Sequence, residues 1–88
     1  MKQYDIKDVE KKTKAIRMSV SEILRKIKED GELTIRELAD ELLVPDAKVA
    51  KMLYGDIDFK VEELISLFFT FGYNVSIVLT KGDKTKTI

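Results

Sequence analysis

Cysteine and histidine are both missing from this chain. Without cysteine there is no disulfide framework and no thiolate metal site. Without histidine the commonest general base and the commonest zinc ligand are gone too. The sequence also has no long apolar run of the kind that forms a transmembrane helix. Its first residues, MKQYDIKDVEKK, are too charged for a secretory signal, so a cytoplasmic protein is expected. Finally, an excess of one charge is lacking, with 16 basic and 16 acidic residues. A nucleic-acid-binding domain usually carries a basic footprint, and the whole chain does not.

What is present suits one small soluble domain. The 88 residues are 44% hydrophobic and 36% charged, enough for one modest core. The charge is unevenly spread: residues 1–17 carry net +3, residues 31–58 net −4 and residues 81–88 net +2. Basic ends therefore flank an acidic middle.

Hydrophobic spacing and cap residues divide the chain. Residues 1–14, with sparse apolar positions at Tyr4, Ile6 and Val9, read as a basic arm that is mobile or partly helical. Ile16, Val20, Ile23, Leu24 and Ile27 then trace one helical face. Ser19 with Glu22 forms a possible capping box, which would start that helix near Val20; otherwise it starts near Ala15 or earlier. Gly31 is suited to a left-handed cap. Thr34 with Glu37 is a second capping box, opening a short helix with Ile35, Leu38, Ala39 and Leu42 inward. Pro45 and Asp46 favour the start of a third helix over residues 46–53, with Val49, Met52 and Leu53 inward and Gly55 as its stop. Residues 56–60 form a turn. A fourth helix over 61–71 carries Val61, Leu64, Ile65, Leu67, Phe68 and Phe71 on a wide apolar face and ends at Gly72. The period then changes to two over residues 73–80, which predicts a strand, and residues 81–88 read as a flexible tail.

The unit over residues 34–54 is therefore two short helices joined by a tight turn. Ala39 is small enough for a close helix contact, and the third helix keeps one side free for a DNA groove. On Leu33, Thr34, Leu38, Ala39, Leu42, Val44, Val49, Met52, Gly55, Leu64 and Gly72, residues 18–79 resemble the Cro/C1-type (XRE) helix-turn-helix family, including its HigA-like antitoxins. The resemblance implies an all-α bundle of four or five helices of the lambda repressor-like DNA-binding type, here with a C-terminal β-strand. It also implies a DNA-binding regulator. Five positions depart from the family pattern: Ile35 and Asp46 replace glutamines, Leu43 the turn glycine, and Pro45 and Ala50 serines.

The candidate DNA contacts follow from that placement. Lys48 and Lys51 would reach phosphates or a guanine edge, with Ala47 beside them; alternatively they are a solvated face. Asp46 either caps its helix or accepts from a cytosine amine. Thr34 and Arg36 either sit where a helix N-terminus attracts phosphate or serve as a cap and an Arg36–Asp40 pair; Tyr54 and Lys60 flank the next turn along the expected backbone path, with core packing the equal alternative for Tyr54. The arm lysines Lys7, Lys11, Lys12 and Lys14 would add charge. Phe68, Phe69 and Phe71 read as core rather than as a stacking platform, with Phe69 off the main stripe. A lone strand leaves both edges unpaired. Residues 73–80 are thus expected to pair with a two-fold mate, giving a homodimer built on Phe69, Tyr73, Val75, Ile77 and Leu79; the alternative is pairing near Tyr4 and Ile6. No nucleophile, catalytic base or phosphate loop motif occurs, so neither an enzyme nor a cofactor is expected. The expected partner is double-stranded DNA, with a toxin or another protein as the alternative suggested by the acidic middle.

Overall fold

Each helix follows from how its two ends are closed. The computed structural model describes residues 4–56 and 59–88. They form α1 (Ile6–Asp30), α2 (Ile35–Leu42), α3 (Asp46–Leu53), α4 (Val61–Thr70), β1 (Val78–Lys81) and β2 (Lys84–Thr87). The fold is mostly helical with one small antiparallel sheet. Residues 1–3 of the expected arm, and residues 57–58 of the expected turn, lie outside the described residues.

The capping residue of α1 is Asp5, whose carboxylate accepts from the Lys7 N–H at 2.9 Å. No glycine or proline interrupts the following 25 residues, so the helix runs unbroken. Ser19 is consequently mid-helix rather than a cap, and most of the expected basic arm is helix. All four helices then end the same way. The N–H of the residue just past the closing turn reaches back to a carbonyl five residues earlier: Leu33 to Lys28, Val44 to Ala39, Asp56 to Lys51 and Tyr73 to Phe68, at 2.9 to 3.1 Å. This closure needs one residue in the left-handed region. Gly55 (φ 77°) and Gly72 (φ 84°) supply it cheaply, but Glu32 (φ 52°) and Leu43 (φ 57°) supply it without being glycine. Gly31 is not the left-handed residue expected, since its φ is −86°. Its glycine serves close packing instead: a Cβ there would meet the Ile27 carbonyl and the Leu33 side chain, each at 3.2 Å.

The core lies where α1, α2, α3 and α4 meet. Val20 and Leu24 of α1, Leu38 and Ala39 of α2, Val49, Met52 and Leu53 of α3, and Leu67 and Phe68 of α4 are buried there. Two expectations for α1 fail: Ile16 and Ile23 are 50% and 43% exposed rather than inward. The buried face of α1 turns through Val20, Ser21 and Leu24, and Ile16 and Ile23 fall to one side of it. Val61, expected inward on α4, is also exposed.

The C-terminal segment departs furthest from expectation. Residues 73–77 are not strand; β1 begins at Val78 and pairs with β2, so the tail is a strand rather than a flexible end. Lys81 faces Lys84 across the two-residue loop of Gly82 and Asp83. Gly82, at φ 58°, takes the first loop position, where a tight hairpin of this length needs a positive φ. Ile77 and Ile88 exchange two further backbone hydrogen bonds and extend the ladder. One edge of the strand is thus paired with the chain's own tail rather than with the segment near Tyr4 and Ile6.

Candidate nucleic-acid interface

Two short helices and a three-residue connection set the position of α3. Thr34 accepts from the Glu37 N–H at 3.1 Å while the Glu37 carboxylate accepts from the Thr34 N–H at 3.0 Å, closing the capping box at the head of α2. The left-handed Leu43, 91% exposed, then turns the chain through Val44 to Pro45, whose φ of −64° leads into α3. At its other end α3 is gripped by α1. Ser21, fully buried, donates to the Met52 carbonyl at 2.7 Å, and the Arg25 guanidinium donates to the Leu53 carbonyl. Those carbonyls have no partner within their helix, so α1 satisfies them and fixes the axis of α3. Sequence reading missed both residues, and no local pattern marks a contact across 31 or 28 positions.

With Val49, Met52 and Leu53 inward, α3 leaves Asp46, Ala47, Lys51 and Tyr54 exposed. Lys48 differs. It is half-buried, and its ammonium donates to Glu63 of α4 at 3.2 Å. The other carboxylate oxygen of Glu63 accepts the Lys60 N–H at 3.3 Å. Glu63 therefore joins α3 to the head of α4 and brings Lys48 and Lys60 to one carboxylate. The hydrogen bond from Lys48, and then that from the Lys60 backbone, hold Glu63 below the ordinary glutamate range. Glu37 is likewise held low, chiefly by the Thr34 backbone N–H. Both carboxylates thus remain charged at neutral pH beside helix N-termini, where anions are stabilised. A signal for Glu63 was readable, since it stands three residues after Lys60 as the acidic member of a capping box does. Its reach to Lys48 was not.

Of the expected DNA contacts, Arg36, Asp46, Ala47, Lys51 and Tyr54 are exposed; Thr34 is exposed but engaged in its cap, and Lys60 is exposed with its N–H bonded. Beside α3 lies an open cleft of about 460 Å³ whose lining includes Leu42, Lys48 and Met52 from earlier in the chain and Phe59, Glu63 and Leu67 from later in it. Of the residues expected at a dimer interface, Phe69, Tyr73, Ile77 and Leu79 are exposed and Val75 is half-buried; the Tyr73 ring meets Phe68 edge-on at 5.9 Å. Among the described residues there is no acidic cluster able to hold a metal ion, and no helix long and apolar enough to cross a membrane. Compared with protein-family models and with curated proteins, the chain matches none of either.

Proposed function

We propose that this chain is a sequence-specific DNA-binding transcriptional regulator of repressor or antitoxin type, which acts as a dimer and places α3 in the major groove. In this reading α2, the turn and α3 are the helix-turn-helix of a lambda repressor-like domain, and the protein works in the cytoplasm. The observation that carries it is the left-handed Leu43. The turn keeps the backbone conformation for which Cro/C1-type sequences use glycine, although a leucine must bear it, and α3 consequently stands with Ala47 and Lys51 outward. Lys51 then reads a base edge or a phosphate, Arg36 and Tyr54 hold phosphates, and two copies of α3 about 34 Å apart enter successive grooves. The lysines along the first half of α1 add non-specific attraction.

The test is fluorescence anisotropy on duplex DNA from the chain's own upstream region. Wild type binds at low salt, with affinity falling steeply as salt rises, and Lys51→Ala weakens binding by about 1–3 kcal/mol. Failure to bind at low salt overturns the reading.

A second reading is supported by the carboxylates of Glu37 and Glu63. They stand at the two helix heads where phosphates would dock, and Asp46 heads α3. On this view the same fold serves as a protein-interaction module, such as a toxin-binding antitoxin, with little hold on DNA. Absence of DNA binding together with a stoichiometric complex with the product of a neighbouring gene would favour it.

A further inference from the structure

Backbone pairing sorts the side chains of the C-terminal hairpin onto two faces. Residues directly opposite in an antiparallel ladder share a face, and successive residues alternate between faces. The register sets Leu79 against Lys86 and Lys81 against Lys84, with Ile77 and Ile88 next along the ladder. Lys81, Lys84 and Lys86 therefore share one face with Ile77, Leu79 and Ile88. The other face carries Val78, Thr80, Thr85 and Thr87 and no charge. Every residue from Val78 to Thr87 is exposed.

The three lysines are held together at a cost. Like charges directly opposite across a ladder are destabilising, and Lys81 stands opposite Lys84. Lys86 follows Lys84 on the same face, about 6.8 Å further along the strand. The two-residue loop, with Gly82 at φ 58°, fixes this register. The one acidic side chain of the hairpin, Asp83, lies in that loop. Among the described residues, none of the three ammonium groups has an ion-pair partner. The chain as a whole is neutral, so this is a local concentration of charge rather than a by-product of basic composition.

The charge complement of such a face is a dense row of anions. Duplex DNA offers one phosphate charge per roughly 1.7 Å of axis, and lysines that neutralise phosphates release the counterions condensed on them. A lipid surface suits the hairpin less well. Ile77, Leu79 and Ile88 lie at its base, so the loop end that carries the lysines has no apolar side chain to enter a bilayer.

We propose that the hairpin is a second DNA contact, separate from α3, whose lysine face lies against the phosphate backbone of duplex DNA through Lys81, Lys84 and Lys86. The contact is independent of sequence, because phosphates position a protein without carrying base information. It rests on the reading above for its partner, duplex DNA, and not for its site.

Fluorescence anisotropy on the full chain tests it with two duplexes of equal length, one from the chain's own upstream region and one unrelated. In Lys81→Gln/Lys84→Gln/Lys86→Gln, binding to both weakens by the same factor. The slope of log affinity against log salt falls in magnitude by about 2.7, the loss of three phosphate contacts. Lys81→Arg/Lys84→Arg/Lys86→Arg keeps the wild-type slope. Helical circular dichroism is unchanged in both variants, since all three positions are exposed. Lys11→Gln/Lys12→Gln/Lys14→Gln removes the same net charge from α1 and lowers the slope by less. A wild type that binds the two duplexes equally, with both lost in the hairpin glutamine variant, supports the hairpin contact and overturns the sequence-specific reading of α3. Full affinity and slope in that variant, while Lys51→Ala weakens binding, overturns the hairpin contact and leaves the reading of α3 standing. The contact is also overturned by a wild type that binds neither duplex at low salt, by an α1 variant whose slope falls as far, or by tighter binding to phosphatidylglycerol–phosphatidylcholine vesicles than to DNA.

Discussion

The middle of the chain, from Val20 to Phe71, and its two ends have equally regular backbones but very different surroundings. In the middle Leu24, Leu38 and Val49 are wholly buried, and the buried Ser21 hydroxyl has its partner. Before Val20, and from residue 73 onward, none of the described residues is buried. The first half of α1 is as well formed as α2, and the hairpin has a full ladder, so regular hydrogen bonding and burial are separate achievements. A helix of this kind draws most of its stability from packing one apolar face, and an isolated two-stranded hairpin is marginal in water. The ends therefore draw little stability from the core, and the middle is where the fold is held.

The largest expected effect tests whether stability resides in the middle. Leu38→Ala removes a fully buried side chain and should destabilise the protein by about 2–5 kcal/mol. Ile77→Ala, at a position 44% exposed, should stay within about 0.5 kcal/mol. Urea denaturation of both variants under conditions where the protein is monomeric measures the difference. Equal losses would break the contrast and place the hairpin in the cooperative core.

A smaller effect of opposite sign is expected at the turn. Leu43 holds a left-handed conformation with its side chain 91% exposed, so it bears the steric cost with little packing in return. That conformation costs a residue with a Cβ roughly 1–2 kcal/mol, and glycine loses part of the advantage through its more flexible unfolded state. Leu43→Gly should therefore stabilise the domain by about 1 kcal/mol, a rise of roughly 4–8 °C in Tm. A lower Tm would mean that Leu43 contributes contacts in the native protein which its exposure hides.

What the sequence made legible follows the same division. The limits of α2 and α3 came from chemistry within a few residues: Thr34 with Glu37 at one head, Pro45 and Asp46 at the other. Where a local signal competed with a longer one, reading failed. Ser19 and Glu22 resemble a cap, yet nothing between Ile6 and Asp30 breaks the helix. The pair Gly82 and Asp83 is itself a hairpin signal, but the lysines and threonines around it resemble a solvated tail. At the candidate site Lys48 and Lys51 looked alike because both lie on one short helix. Only Glu63, brought up by the turn into α4, separates a tethered lysine from an exposed one, and that proximity is a property of the tertiary fold. The mostly helical architecture was thus readable, and the electrostatics of the site were not.

The smallest expected effect is a pH dependence confined to the middle. Glu37 and Glu63 both sit below the ordinary glutamate value, through hydrogen bonds from Thr34 and from Lys48 respectively. A carboxyl group with a depressed folded-state pKa binds its proton more readily when unfolded. Its contribution to stability is then complete above the unfolded value of about 4.3 and is lost as pH falls through the lower folded value. Many other carboxylates titrate in that range, so the informative quantity is a difference between variants. Glu37→Gln retains an acceptor for the Thr34 N–H but no titrating charge. Its Tm should lie slightly below that of wild type at pH 7, and the two should converge as pH is lowered past 4. Thermal melts of both proteins from pH 7 to pH 3 measure the gap, and a gap that stays constant would mean that the Glu37 cap acts through hydrogen-bond geometry alone rather than through charge at the head of α2.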